Sequence, residues 1–394
     1  MQEWAKRLAD GPDRLPCGIA VLTPDGQRIV IGDDVPALTV LVHNGRGEQA
    51  LRRLSLLGIC EAYIRGDIDL DGDLIEAASL QTKMTDREIL IKLWRRFKPL
   101  LFGRARCNPE WIADAYDRHN IQLISADQDF HTYTPGLYES DHDSLEAGAR
   151  RKLQAAFDGL NLQPGDHVLD IGCGWGGFIR FCTARQVRMT GITLSRHQLA
   201  FVTDVIRRDA LEASAHYQDF FTFTPERQYD GISLMGVIED LSDYRAVVKR
   251  LTSWVRPGGR VYLDFAASKE RFATSSFITK YIWPGVFRMV YLPELIEAVW
   301  HSPFEIVLLD NDRMNYHRWA RESYRRWMDR KAAVLEQADE ATWRTFRLMH
   351  AGCANIMRDA TRGASAYRMV LEMPQPAARA TAREQARHVA FAQT

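Results

Sequence analysis

No Cys-x-x-Cys pair occurs in the 394 residues, and the six cysteines (Cys17, Cys60, Cys107, Cys173, Cys182, Cys353) are scattered. That spacing excludes a zinc ribbon and offers no disulfide framework, so it reads as reduced thiols in a cytoplasmic protein. Excess charge is also absent. Lysine plus arginine equals aspartate plus glutamate, 51 each, which removes any global electrostatic reason to expect a nucleic-acid partner. No apolar run approaches the roughly 20 residues that cross a bilayer, so any membrane contact is expected to be peripheral. The opening stretch, Met1 to Arg14, carries too many charges for a secretory signal. There is no internal repeat. The acidic Gly66–Asp73 stretch lacks the ligand spacing and closing glutamate of a calcium loop and reads as a solvated turn.

The length suggests roughly two or three domains. Residues 17–80 alternate short apolar runs (Ile19–Leu22, Arg28–Ile31, Leu38–Val42) with Asp-Gly turns, a small β-rich unit with a helix over Leu51 to Tyr63. Residues 84–110 follow as a helical linker; from Lys92 to Arg106 it carries basic side chains among Leu93, Trp94, Phe97 and Phe102 and no acid. That mixture suits either an anionic membrane surface or an interdomain helix with one packed face. Beyond it, strands at 167–171, 187–192, 214–217, 229–235, 259–266, 304–310 and 366–372 alternate with helices, and two longer helices near 316–337 and 340–359 precede the last strand. The pattern predicts a doubly wound, mainly parallel α/β sheet. The expected boundaries are 1–83, 84–110, 111–374 and a mobile tail over 375–394.

The densest chemistry lies in His167-Val-Leu-Asp-Ile-Gly-Cys-Gly-Trp-Gly-Gly177. A buried strand delivers Asp170 to its carboxyl end, and Gly172, Gly174 and Gly176 let the backbone pass close beneath a bound nucleoside. Dinucleotide enzymes share such turns, but they place an acid at the end of the next strand for the ribose hydroxyls. Here that strand ends Gly191-Ile-Thr193-Leu-Ser195 and is followed by Gln198, all neutral. The combination points to S-adenosylmethionine (SAM) as cofactor.

Several further segments, in order, resemble the cyclopropane-fatty-acyl-phospholipid synthase family. They are Gly58 to Asp67 with Asp71 to Leu74, Tyr116-Asp-Arg-His-Asn120, Val168 to Gly177 with Gly191 to Gln198, Thr279 to Gly285 with Leu292-Pro293, and Ala351-Gly-Cys353 with Arg358. The resemblance covers about residues 17 to 374. It implies a class I SAM-dependent methyltransferase fold, Rossmann-like with a seven-stranded sheet, behind a small N-terminal α+β lipid-associated domain. It also implies a homodimer through that domain and a position on the inner face of the membrane. Carried over, Asp170, Gly172 and Gly174 line the methionine end of SAM, and Thr193, Ser195 and Gln198 meet ribose and adenine. Gln218, Asp219 and Phe220 close over the adenine, and Tyr133 with Thr134 caps the cofactor. Phe220 and Tyr133 also suit plain core aromatics. A sulfonium cation is well held by carboxylates and aromatic faces.

The acceptor side departs from the resemblance. Family members carry a Glu-His pair after the fourth strand, where this chain has Glu239-Asp240; their cysteine after the cap is Pro135 here; and the fifth strand ends Leu263-Asp264-Phe265. Of the groups that hold a bicarbonate base in the family, Glu239 and a tyrosine, Tyr316, remain. An alkene that accepts a methyl group becomes a carbocation on the acyl chain. A base that removes a proton from the new carbon gives a cyclopropane, and loss of another proton gives a methyl-branched chain. Glu239, Asp240 and Asp264 are the candidate cation stabilisers and bases. Asp240 equally suits a helix N-terminal acid. The resemblance therefore implies SAM-dependent addition of a methyl-derived carbon to an unsaturated acyl chain of a membrane phospholipid. The alternatives are an N- or C-methyltransferase on a small soluble acceptor, or a SAM- or lipid-binding relative with altered lipid-tailoring chemistry.

Overall fold

The computed structural model describes residues 15–84, 109–241, 243–271, 275–283 and 288–375. Met1 to Arg14, the basic aromatic segment from 85 to 108 and the tail from 376 lie outside the described residues.

In the N-terminal unit, Asp25-Gly26 closes a hairpin between β1 (Ile19–Leu22) and β2 (Arg28–Ile31), with Gly26 at φ +85°, a conformation that favours glycine. After β3 (Leu38–Val42), Asn44 caps α1 (Gly45–Arg52), and α2 (Leu56–Ile64), β4 (Ile68–Gly72) and the short α3 (Leu74–Ala77) follow. The sheet order is β2-β1-β3-β4, with β1 parallel to β3 and the other pairs antiparallel. The helix expected over Leu51 to Tyr63 is two helices. Leu54 turns left-handed (φ +49°), and the Ser55 hydroxyl accepts the Gly58 N–H at 3.2 Å, starting a new helix. The acidic stretch is not a solvated turn but includes β4. Asp67 is buried against Arg46 (3.0 Å) and Arg65 (2.9 Å), and Asp69 pairs with Arg344 at 2.7 Å. No grouping of three or more His, Cys, Asp or Glu suited to a metal occurs among the described residues.

The second unit runs α4 (Pro109–His119), α5 (Leu145–Gly159), β5 (His167–Ile171), α6 (Gly177–Thr183), β6 (Arg188–Thr193), α7 (Arg196–Arg208), β7 (Ala213–Tyr217), β8 (Tyr229–Met235), α8 (Tyr244–Trp254) and β9 (Val255–Ser268). It continues through β10 (Val290–Tyr291), α9 (Leu292–Trp300), β11 (Glu305–Asn311), α10 (Arg313–Asp329), α11 (Lys331–Leu335), α12 (Glu340–Arg358) and β12 (Ala364–Glu372). The strand order is β11-β12-β9-β8-β5-β6-β7, with β12 antiparallel to both neighbours. All seven expected strands are present. The eighth, two-residue β10 pairs parallel with the end of β9; it is too short to leave a pattern in sequence. Because both faces of the central strands are covered, they read as continuous apolar runs: Val168, Leu169, Ile232, Leu234 and Val261 are fully buried. The carboxyl ends of β5, β6, β8 and β9 open at one edge, where the order reverses between β5 and β8, the usual place for a ligand in such sheets.

Helix α12 fastens the two units together. Arg347 donates to the Tyr63 hydroxyl (2.6 Å) and the Leu70 carbonyl (3.1 Å), and Asn355 donates to the Ile75 carbonyl (2.7 Å). Among the described residues, no helix is long and apolar enough to cross a membrane.

Candidate active site

The glycine turn after β5 takes left-handed backbone at Gly172 (+69°), Gly174 (+52°) and Gly176 (+74°). A Cβ on Gly172 would stand 2.4 Å from Val237 Cγ2, so a side chain there is excluded. The turn leaves bare backbone facing a cavity of about 620 Å³, which Gly172 and Gly174 line. Gly176 lies behind the turn, capping α6, outside the lining. Asp170 is also outside it. It sits under the turn, fully buried, accepting the Ser233 hydroxyl at 2.7 Å, and burial pushes its carboxyl up to about 7.

Beyond β6 the polar groups lock one another. Ser195 caps α7 by accepting the Gln198 N–H at 3.1 Å and donates to Asp117 at 2.6 Å. Thr193 donates to the Gln198 side-chain oxygen at 3.0 Å, and the Gln198 amide stands 3.4 Å from the Tyr133 hydroxyl. Gln218, Asp219 and Phe220 continue the lining after β7, with the Gln218 N–H fixed on the Thr193 carbonyl at 3.0 Å. Phe220 is both core and wall: it packs on Phe221 and Trp254 and also faces the cavity. Tyr133 and Thr134 close the same side.

The charges of the wall decide what it can hold. Asp219, Glu239, Asp240 and Glu270 line it against one base, Arg362, among the described residues. A phosphate-bearing nucleotide would meet carboxylates here, whereas a sulfonium nucleoside meets opposite charge and bare backbone. The residues present fit SAM.

On the acceptor side, Glu239 and Asp240 occupy a 3₁₀ turn after β8. One Glu239 oxygen accepts the Ala266 N–H at 2.8 Å, and the other is buried with no hydrogen-bond partner among the described residues. Burial, then the neighbouring Asp240 and Asp264, push the Glu239 carboxyl up to about 8. Asp240 accepts the Tyr116 hydroxyl at 2.8 Å, and burial pushes it up to about 6. Asp240 is not a helix-capping acid, since Asp243 caps α8. Tyr316 lines the cavity from α10, its phenol pushed up by burial and by Glu239. Asp264 differs from the other two acids. It lies behind the wall, its Oδ2 3.0 Å from the Lys152 ammonium, which also donates to Thr134 at 2.8 Å.

Lys152, Tyr116 and Asp117 had no role from sequence. Lys152 left a signal. It falls on the buried stripe of α5 with Leu145, Gly148, Ala149, Leu153 and Ala156, and a lysine on such a stripe needs a buried acid. The Tyr116–Asp240 and Asp117–Ser195 contacts join residues far apart in the chain and leave none.

A sequence model of the mycolic acid cyclopropane synthetase family matches residues 105–364. The chain belongs to this family. It is accordingly a SAM-dependent methyltransferase. Among similar proteins, a probable fatty acid methyltransferase of Pseudomonas putida is 25% identical over 347 residues, spanning 84% of this chain and 86% of the relative. A sphingolipid C9-methyltransferase of Candida albicans is 23% identical over 359 residues, spanning 80% of this chain and 67% of the relative. A cyclopropane synthase of Mycobacterium tuberculosis shares the fold, with a TM-score of 0.63 at 20% identity over 68% of this chain and 99% of that one.

An ionised Asp170 beneath the turn favours a cationic ligand, so SAM affinity is expected to rise with pH through about 7. Asp170→Asn keeps the shape and removes the charge. Calorimetry should show affinity weakened about tenfold, the equivalent of ~1.4 kcal/mol, with the pH dependence flattened. Wild-type affinity and pH dependence would contradict a role for Asp170.

Proposed function

We propose that this methyltransferase adds a methyl-derived carbon to a carbon of an unsaturated fatty acyl chain in a membrane phospholipid. The observation that carries the proposal is one cavity in which the glycine turn, two carboxylates and a long apolar wall are continuous. A soluble amine would need none of that apolar length. Relatives named as a probable fatty acid methyltransferase and a sphingolipid C9-methyltransferase support a lipid acceptor.

Gly172 and Gly174 would underlie the cofactor, with Thr193, Gln198, Gln218 and Asp219 toward its nucleoside and Tyr133 as the cap. Bound there, SAM supplies an electrophilic methyl group. Glu239 and Asp240 are each held by one oxygen, to Ala266 N–H and Tyr116 hydroxyl, which keeps them directed without freedom to rotate away. A carbocation on an acyl chain in this cavity faces both acids in a dry setting, where their charge acts strongly. The unpartnered Glu239 oxygen is the proton acceptor. The proton it takes, from the new carbon or from the chain, sets a cyclopropane or a methyl-branched product. Asp240 and Pro135 stand where the family has the histidine and cysteine of its bicarbonate site, so in this reading the protein's own carboxylate takes the part of the base. A peripheral position on the membrane surface, and pairing of two copies through the N-terminal units, accompany this reading.

The test offers purified protein methyl-labelled SAM with either phosphatidylethanolamine vesicles bearing cis-monounsaturated chains or a panel of soluble amines. Label in the acyl chain, only with vesicles, is the expected result. Label on an amine, or no label beside intact SAM binding, would overturn the proposal. Vesicles containing unsaturated ceramide test the sphingolipid alternative in the same assay.

A further inference from the structure

We infer that the N-terminal domain is an internal receptacle for the methyl-terminal end of the substrate's hydrocarbon chain and sets its permitted length. The inference rests on the acyl-chain reading above and concerns where that chain goes.

The catalytic cavity does not end at the methyltransferase unit. From Glu239, Asp240 and Tyr316 the wall passes along α10 and α12 by Trp319, Leu348, Met349 and Cys353. It then reaches Leu56, Ile59 and Cys60 on α2 and enters the N-terminal sheet. There the lining is a ladder of inward side chains on three adjacent strands. Ile19 stands opposite Leu38, and Val40 opposite Leu70, with Leu51 and Leu74 closing from the helices.

These same side chains are the hydrophobic core of the domain, each under a tenth exposed. Protein cores normally close on themselves at crystal-like density, and unfilled apolar space destabilises. A core whose centre remains continuous with an active site is therefore shaped for a guest. The chemistry of the guest follows from the lining. Among the described residues, those that the N-terminal domain contributes include no charged side chain, and the polar ones are Gln81 and the Cys60 thiol. The strand side chains offer a headgroup, a phosphate or a carboxylate nothing to bind and suit an alkyl end, while the base that lines the cavity, Arg362, donates to the Ser79 carbonyl at 3.1 Å and to the Asn355 side-chain oxygen.

The receptacle is also held in register with the chemistry. Arg347 bridges the Tyr63 hydroxyl and the Leu70 carbonyl, next to the lining Leu70, and Asn355 holds the Ile75 carbonyl beside Leu74. With the chain end stopped in a fixed chamber, the distance from that stop to Glu239 selects which carbon faces the carboxylates.

The test uses the full-length enzyme with cis-monounsaturated phospholipids that share the carboxyl-to-double-bond distance and differ in the length beyond it. Val40→Phe shortens the receptacle, and Leu38→Ala lengthens it. Val40→Phe should lower turnover of the longest tail about tenfold relative to the shortest, and Leu38→Ala should shift preference the other way, both with wild-type SAM affinity. An unchanged ranking in both variants would overturn the inference. Should Val40→Phe fail to fold, the wild-type protein decides. A phospholipid whose cis-monoenoic chain bears a diazirine on its terminal carbon should, on irradiation, attach within residues 15–84. Attachment confined to the methyltransferase unit would overturn the receptacle and leave the acyl-chain reading intact. No acyl product from any tail, with no attachment anywhere, would overturn both.

Discussion

Glu239→Gln should cut methyl-carbon transfer by about 10²–10⁴-fold while SAM affinity changes little. Glutamine keeps an oxygen for the Ala266 N–H (2.8 Å in the native protein) but cannot take a proton. The same variant should change the pH behaviour of the fold in a defined direction. Glu239 is pushed up to about 8 from an ordinary value of 4.5. Between those limits the folded chain binds a proton that the unfolded chain has released, so the folded state loses stability as pH rises through this window. Removing the carboxyl removes that loss. Glu239→Gln should therefore melt at or above the wild type near pH 8 and show a flatter dependence between pH 5 and about 8. For activity the sign is opposite: the ionised form is the useful one, so wild-type turnover should rise with pH over the same range. Full turnover in the variant would show that another group takes the proton, with Asp240, pushed up to about 6, next in line.

The second large effect is structural. Lys152 and Asp264 form a buried ion pair at 3.0 Å, their side chains 2% and 9% exposed. Such a pair adds little over an apolar isostere, but breaking it leaves one charge stranded, at a cost of about 3–5 kcal/mol. Lys152→Met is expected to lower the melting temperature by roughly 10 °C. The loss should be smallest at low pH, where Asp264, already pushed up by burial, protonates and sheds its charge. Adding Asp264→Asn should recover most of the stability, because the stranded charge is gone. Additive losses in the double variant would contradict the coupling. Since Lys152 also holds Thr134, at 2.8 Å, the double variant should still bind SAM less well.

Much of this fold was legible in sequence because the sheet's interior strands are covered on both faces and keep unbroken apolar runs. The glycine turn was legible for a steric reason: left-handed backbone at Gly172, Gly174 and Gly176 calls for the one residue without a Cβ. Leu54 was not, because a leucine at φ +49° contradicts its own propensity and is imposed by the Ser55 cap and the packing around it. The cofactor side of the site lies on two consecutive strand ends and could be read locally. The acceptor side could be read only in part. Glu239, Asp240 and Tyr316 line the cavity, but Asp264 points to Lys152, a partner more than a hundred positions away. The apolar path into the N-terminal sheet was invisible for the same reason. Ile19, Val40 and Leu70 have the alternation of any half-buried strand, and pattern alone does not distinguish a filled core from one that remains open.

The central claim is that carbon leaves SAM for the acyl chain and that a protein carboxylate takes the displaced proton. The most direct measurement supplies deuteriomethyl-labelled methionine to cells with and without the protein and reads intact phospholipid acyl chains by mass spectrometry with fragmentation. The expected result is a protein-dependent gain of one labelled carbon at the position of a former double bond. Two retained deuteriums mean that the new carbon lost the proton, and three mean that the chain did. Unlabelled acyl chains in cells that contain folded, SAM-binding protein, or label confined to a headgroup nitrogen, would contradict it.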